Sequence, residues 1–97
     1  MKVVLDGIEV VVKDIKYGEK IELFGHYQDV LKPVFDKTGE ISHRKLYALL
    51  GHVSEIAFQN AENDLKKYDI NVQTNLLTKI LLNYLELSEE SKKEQGD

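Results

Sequence analysis

In the first thirteen residues, every second position on either side of an Asp6-Gly7 pair is apolar, namely Val3, Leu5, Ile8, Val10 and Val12. A period of two is typical of a strand with one buried face, and Asp-Gly favours a two-residue type I′ turn because both turn positions need positive φ. The pattern therefore predicts a β-hairpin over residues 2–13. The turn pairs Leu5 with Ile8 and Val3 with Val10, and it puts both pairs, together with Val12, on one face.

The second face of this hairpin departs from strict alternation. It carries Val4 and Val11 among charged residues, so apolar side chains lie on both faces. Because two strands alone are only marginally stable in water, we expect the hairpin to lie on the helices, to pair with another chain, or both.

From residue 19 onward the apolar residues recur at three- and four-residue steps, which is the spacing of one face of an α-helix. A first helix is predicted over about residues 19–31, with a short restart at Pro33, because proline disfavours the helical conformation at the residue before it. Ser42 is a suitable N-cap for the next helical segment. Gly51 weakens the middle of that segment, so residues 43–68 form either one kinked helix or two.

A last helix, capped by Asp69 or Asn71, extends the pattern towards residue 87. The apolar stripes predicted for the core are Phe24, Tyr27, Leu31 and Val34, then Leu46, Leu49, Leu50, Val53, Ile56, Ala57, Ala61, Leu65 and Tyr68, and finally Val72, Leu76, Leu77, Ile80, Leu81, Tyr84 and Leu85. Residues 88–97 have no apolar anchor and are predicted to be a flexible polar tail. The sequence thus predicts one α+β domain over residues 1–87, mostly helical, in which an N-terminal β-hairpin is followed by a three- to four-helix bundle.

The composition excludes several kinds of partner and binding site, whereas it adds little to the prediction of the fold. Of the 97 residues, 42% are apolar and 31% are charged, which is the balance of an ordinary globular domain. The net charge of −4 opposes nucleic acid and anionic membranes as partners. No cysteine is present, so disulfides and thiolate metal sites are excluded. Because the apolar runs are too short for a bilayer span or a secretory signal, we expect a cytoplasmic protein.

Groups that could carry catalysis or bind a metal are sparse. His26, His43 and His52 are not spaced at i,i+3 or i,i+4 from one another, and we identify no acidic or cysteine partner at a ligand interval, so no metal site or cofactor is predicted. An EF-hand loop aligned on Gly39 would end at Lys45, which repels calcium. No serine lies in a Gly-x-Ser-x-Gly elbow, and no glycine-rich phosphate loop is present. We therefore expect the chain not to be an enzyme.

A helix-turn-helix is a second possibility, because small and apolar residues surround Gly51 in residues 48–56. The recognition helix would carry Asn and Gln residues that can read bases. Basic residues that could neutralise phosphates come only at its far end, at Lys66 and Lys67. A small DNA-binding regulator is therefore kept as an alternative, while no nucleic-acid partner is predicted.

Several apolar residues lie outside the predicted core stripes. Ile15 and Tyr17 lie in the link, and four others lie on the hairpin and the last helix: Val4, Val11, Leu82 and Leu87. In a monomer they could complete the core, whereas on the surface they would form the kind of apolar patch that marks a docking site. An open hairpin edge could also accept a strand from a partner. We expect these four residues to contact a protein partner, and homo-oligomerisation remains open.

The order of elements resembles the small tail assembly chaperones of tailed bacteriophages. Many of these open with a strand, an Asp/Asn-Gly turn and a second strand, here residues 3–10, followed by an acidic-apolar link, here residues 13–18, and a helical body, here residues 19–87. The resemblance implies a non-catalytic protein of the host cytoplasm, without a cofactor. It would bind the tape-measure protein, keep that long helical chain soluble, and help tail-tube protein polymerise around it. A structural phage component, such as a connector or baseplate subunit, is the alternative.

Overall fold

The computed structural model describes residues 1–35, 37 and 42–87, in which two strands precede a series of helices. The strands are β1 (Lys2–Leu5) and β2 (Ile8–Val11), and the helices are α1 (Tyr17–Val30), α2 (Lys32–Phe35), α3 (His43–Ala57), α4 (Ala61–Leu65) and α5 (Ile70–Tyr84). The predicted α+β class, with a hairpin followed by a mostly helical body, is confirmed. The predicted polar tail, residues 88–97, and the loop around Gly39 lie outside the described residues.

The hairpin has the predicted register. Leu5 lies opposite Ile8, and Val3 lies opposite Val10. Asp6 and Gly7 have φ values of +48° and +82°, as a type I′ turn requires. The inner face packs on the helices, and there Val3 and Val12 are almost completely buried.

The backbone of Lys13 ties the hairpin to two helices. Its N–H donates to the carbonyl oxygen of Ala57 at the end of α3 (2.9 Å), and its carbonyl oxygen accepts from the hydroxyl of Tyr84 on α5 (2.5 Å). Met1 and Val12 exchange two further hydrogen bonds, of 2.7 and 2.9 Å, which extend the strand pairing beyond β1 and β2. Together these bonds determine which face of the hairpin meets the helices.

The core lies between α1, α3 and α5, with the hairpin closing it beside α5. α3 packs against both α1 and α5, while β1 packs against α5. The largest side chains in the described residues that are shielded from solvent are Leu23, Leu76, Ile80, Leu81, Val3 and Val53. Each helix therefore contributes one apolar stripe to a shared interior.

α3 runs without interruption through Gly51, so the turn that a helix-turn-helix would need at this glycine is absent. A glycine inside a helix costs about 1 kcal/mol relative to alanine. Burial of Leu50 and Val53 on either side outweighs that cost. The helical segment breaks instead at Phe58, whose backbone is extended. α4 then starts from Asn60, whose side chain accepts from the N–H of Asn63 at 3.2 Å.

The predicted caps of the two longer helices are present. The side chain of Ser42 accepts from the N–H of Lys45 at the start of α3, and that of Asp69 accepts from the N–H of Val72 at the start of α5. Each bond satisfies one of the amide groups that the first turn of a helix leaves without a partner. Of the two residues predicted as the N-cap of the last helix, Asp69 is the one that caps it.

We predict that Tyr84→Phe destabilises the fold by about 1–3 kcal/mol, because it leaves the carbonyl oxygen of Lys13 without its hydrogen-bond donor. Denaturant unfolding followed by circular dichroism measures this change. Tyr17→Phe is the matched control, since Tyr17 is 81% exposed, and it should stay within about 0.5 kcal/mol of the wild type. Equal stabilities of the two variants would contradict an anchoring role for Tyr84.

The raised pKa of Tyr84 predicts that the folded protein loses stability at alkaline pH. Burial, and then the charges of Asp14 and Glu19, raise the pKa of Tyr84 from its usual 10 to about 12. Because the unfolded chain loses this proton first, the contribution is complete below pH 10 and is lost as the pH rises to about 12. The stability advantage of the wild type over Tyr84→Phe should therefore shrink across that range. An advantage that stays constant would show that the hydroxyl is not held in its protonated form.

Candidate functional site

The outer face of the hairpin carries the two valines predicted to contact a partner. Val4 is 43% exposed and Val11 is 74% exposed. In the strand register Lys2 lies opposite Val11 and Glu9 lies opposite Val4, and a Lys2–Glu9 ion pair of 3.3 Å crosses the face diagonally. The two valines occupy the other diagonal of the same four-residue square. They are therefore accessible but separated by charged side chains.

The two leucines predicted to contact a partner lie where α5 ends. The N–H of Leu87 donates to the carbonyl oxygen of Leu82 (2.8 Å), the N–H of Glu86 donates to that of Asn83 (3.1 Å), and Glu86 has a φ of +59°. These features form a Schellman motif, in which the first and last of the bonded residues are commonly apolar and in contact. Leu82 and Leu87 are each only partly exposed, and Leu87 packs against the core. The motif gives both residues a place in helix termination, and their contact with a partner stays a prediction.

A larger exposed apolar surface lies on α1, and we call it the α1 stripe. It consists of Tyr17, Ile21 and Phe24, which are 81%, 57% and 42% exposed. At about 100° per residue these three side chains fall within about 60° of one another around the helix. The predicted core stripe contained Phe24, which was wrong, because the fully buried residue of α1 is its neighbour Leu23.

Two glycines interrupt one flank of the α1 stripe. Gly18 and Gly25 stand seven residues apart, and beyond the adjacent residues and the backbone of α1 itself no described heavy atom lies within 4 Å of the position that a Cβ would occupy at either. Residues 17, 21, 24 and 28 follow the alternating four- and three-residue steps of a coiled-coil seam. The exposed Gln28 closes this series at its C-terminal end. A second helix lying along α1 would meet no side chain at Gly18 or Gly25, whereas the exposed Glu22 and Asp29 occupy the neighbouring positions of the same row.

A cleft of about 400 Å³ adjoins the N-terminal end of the α1 stripe. Tyr17 and Lys20 line it on one side and Asn83 and Glu86 line it on the other, with Lys20 and Glu86 forming an ion pair of 3.4 Å. The side-chain oxygen of Asn83 is shielded from solvent and has no hydrogen-bond partner among the described residues. The stripe thus continues into a concave surface that contains an accessible ion pair and a buried acceptor.

A cluster of three titratable residues joins α1 to α3. The Oε1 atom of Glu22 lies 3.8 Å from the Nε2 atoms of both His26 and His52, and the two imidazole rings are 5.9 Å apart in an edge-to-face arrangement. These separations allow ion pairs when the imidazoles are protonated but are too long for hydrogen bonds. In the part of the chain that the structure describes, no three His, Cys, Asp or Glu residues are grouped to hold a metal ion.

The expectation that no acidic residue stands at a ligand interval from a histidine was wrong. Glu22 stands four residues before His26, a spacing that places both side chains on the same face of a helix. His52 joins them only because α3 packs against α1. The cluster borders a cavity of about 300 Å³ that also contains Lys45 and Asp29.

The division of α1 into a buried and an exposed side gives a direct test. Leu23→Ala should destabilise the protein by about 2–5 kcal/mol, since it removes a fully buried side chain, whereas Ile21→Ala should change stability by less than about 0.5 kcal/mol. Thermal and denaturant unfolding of both variants provide the measurement. A loss for Ile21→Ala as large as that for Leu23→Ala would show that the α1 stripe belongs to the core.

Comparisons with protein-family models, with curated proteins and with solved structures give no match for this chain. Among the described residues, no helix combines the length and the apolar character that crossing a membrane requires. The candidate binding surfaces are the α1 stripe and the outer face and open edge of the hairpin.

Proposed function

We propose that this chain is a non-catalytic protein-binding domain that docks a helix of a partner protein along the α1 stripe. The observation that carries this proposal is the exposure of Tyr17, Ile21 and Phe24 along one line of one helix. Contiguous exposed apolar surface on a small domain usually marks a binding site. Tyrosine and other aromatic residues are also enriched among the side chains that dominate binding energy.

The shape of this surface favours a helical partner. Residues 17 to 28 span about 16 Å of helix, or roughly three turns, with their apolar side chains at seam positions. A partner helix with apolar residues at i, i+3, i+4 and i+7 would place them between these side chains. The glycines beside the stripe, Gly18 and Gly25, leave room for its backbone to come close.

We extend the proposal to a role in phage tail assembly, with the tape-measure protein as the helical partner and the tail-tube protein as a further one. Three features support this extension. The hairpin that carries the resemblance forms around Asp6-Gly7, the α1 stripe suits a long helical chain, and the net charge of −4 would help to keep an apolar cargo in solution. The site of action would be the host cytoplasm.

Co-expression with the tape-measure protein and the major tail-tube protein of the same genome tests this function. We expect a complex with the tape-measure chain in size-exclusion chromatography with light scattering. Ile21→Asp should weaken it at least tenfold, because a carboxylate would lose its hydration in the apolar seam. Ile70→Asp is the matched control, because Ile70 is 65% exposed at the start of α5, away from α1.

The outcomes separate the competing functions. Equal effects of the two aspartate variants on the complex would contradict docking on α1. Absence of a complex with either phage protein, from a folded sample, would remove the tail-assembly role. Presence of the chain in finished particles would favour a structural phage component. Binding to duplex DNA with a steep salt dependence would favour the regulator alternative.

A further inference from the structure

The outer edge of β2 has backbone groups that the hairpin itself does not use. Met1 and Val12 exchange both of their hydrogen bonds, and bonded and non-bonded pairs alternate along an antiparallel ladder. Val10 is consequently bonded to β1, whereas the N–H and C=O groups of Glu9 and Val11 point away from it. Neither of these two residues has a backbone hydrogen-bond partner elsewhere in the described residues.

The next position along this edge is already filled by the chain itself. Lys13 has the same outward orientation as Val11, and its N–H donates to the carbonyl oxygen of Ala57. The chain leaves α3 there through Phe58, whose φ of −124° and ψ of 142° are those of a strand. The edge therefore accepts one backbone hydrogen-bond partner at the end of α3 and offers two further residues in line with it.

A cleft of about 190 Å³ runs beside those two open positions. Glu9, Val10 and Val11 of β2 line this cleft, and its remaining wall consists of Phe58, Asp64, Lys67 and Tyr68. The ammonium group of Lys67 lies 5.3 Å from the centre of the Tyr68 ring, so this wall combines an aromatic surface with a cation. An extended main chain entering the cleft would meet hydrogen-bonding groups on the β2 side and an aromatic surface on the other.

We propose that an extended segment of a partner protein adds to the edge of β2 as a third strand within this cleft. Its central residue would lie opposite Val10, share the inward face of that residue, and be apolar because Phe58 and Tyr68 are there. The residue opposite Glu9 would be basic and the residue opposite Val11 β-branched, because both would face outward beside those side chains. This site is separate from the α1 stripe, and the inference does not depend on helix docking.

A second copy of the chain fits this edge less well than a flexible segment. A folded copy would bring its own Asp64, Lys67 and Tyr68 to the same cleft, beside those already there. Antiparallel pairing of two β2 strands about Val10 would also put both Glu9 side chains on the same face, diagonal to one another. The charge pattern of the edge therefore favours a basic-apolar peptide over self-association.

The test uses the synthetic peptide acetyl-Thr-Val-Leu-Lys-Thr-amide, titrated into the ¹⁵N-labelled full chain. In antiparallel pairing its valine, leucine and lysine lie opposite Val11, Val10 and Glu9. We expect amide shifts concentrated at these residues and at Tyr68, with a dissociation constant on the order of 1 mM. Val11→Pro should weaken binding roughly tenfold or more, since it removes one outward N–H and no bond to β1. Val11→Thr, which keeps that N–H, should stay within about threefold of the wild type.

Modified peptides keep the test decisive if Val11→Pro fails to fold. N-methylation of the peptide valine removes the N–H that would donate to the Val11 carbonyl oxygen, and it should abolish binding to the wild-type chain. N-methylation of the peptide leucine, whose N–H points away from β2, should have little effect. Equal behaviour of the two methylated peptides, or no shifts at Glu9 and Val11 with several millimolar peptide, would overturn the proposal. A concentration-dependent dimer lost in Val11→Pro would assign the edge to a second copy instead.

Discussion

The attachment of the hairpin to the helices is the constraint on which the remaining surfaces depend. Two four-residue strands are marginally stable alone, so the hairpin persists because Val3 and Val12 are buried and because the backbone of Lys13 is bonded to both α3 and α5. With the backbone of Lys13 bonded to Ala57 and to Tyr84, the inner face of the hairpin lies against the helices. The outward position of Val4 and Val11 follows from this attachment.

A second constraint is that α1 has more apolar side chains than a single helix face can bury. Leu23 is enclosed and Tyr27 and Val30 pack against the core, while the α1 stripe remains in solvent on a different side of the helix. Exposed large apolar residues contribute little to folding, because their environment barely changes between the unfolded and folded chain. The fold and the proposed binding surface therefore depend on different residues of the same helix.

The hairpin could be predicted from the sequence down to its register, because a turn that needs two positive φ values leaves little choice and a shift by one residue would expose every inward valine. The buried stripe of α5 could also be predicted, since Leu76, Ile80 and Leu81 follow one helical period. In α1, by contrast, Leu23 and Phe24 begin two overlapping apolar series. Packing against α3 buries the series that begins at Leu23, and the spacing of the apolar residues alone could not predict this.

The partner contacts predicted for the hairpin and the last helix stay predictions, but the surroundings of these residues can be compared with the sequence pattern. The exposure of Val4 and Val11 follows from the hairpin pattern, whereas the Schellman motif that occupies Leu82 and Leu87 has Glu86 at its left-handed position. Glycine is the usual sequence signal for that position, so the motif could not be recognised in advance. The sequence predicted an open hairpin edge without specifying the strand, while the cleft beside β2 depends on where Phe58, Asp64 and Tyr68 lie.

Cross-saturation in the complex with the tape-measure protein tests the central claim most directly. The chain would carry ¹³C-labelled isoleucine methyl groups, so that Ile21 on the α1 stripe and Ile70 on α5 report side by side from one sample. Irradiation of the unlabelled partner should reduce the Ile21 signal and leave that of Ile70 unchanged. A complex in which the Ile21 signal keeps its full intensity would contradict docking on α1.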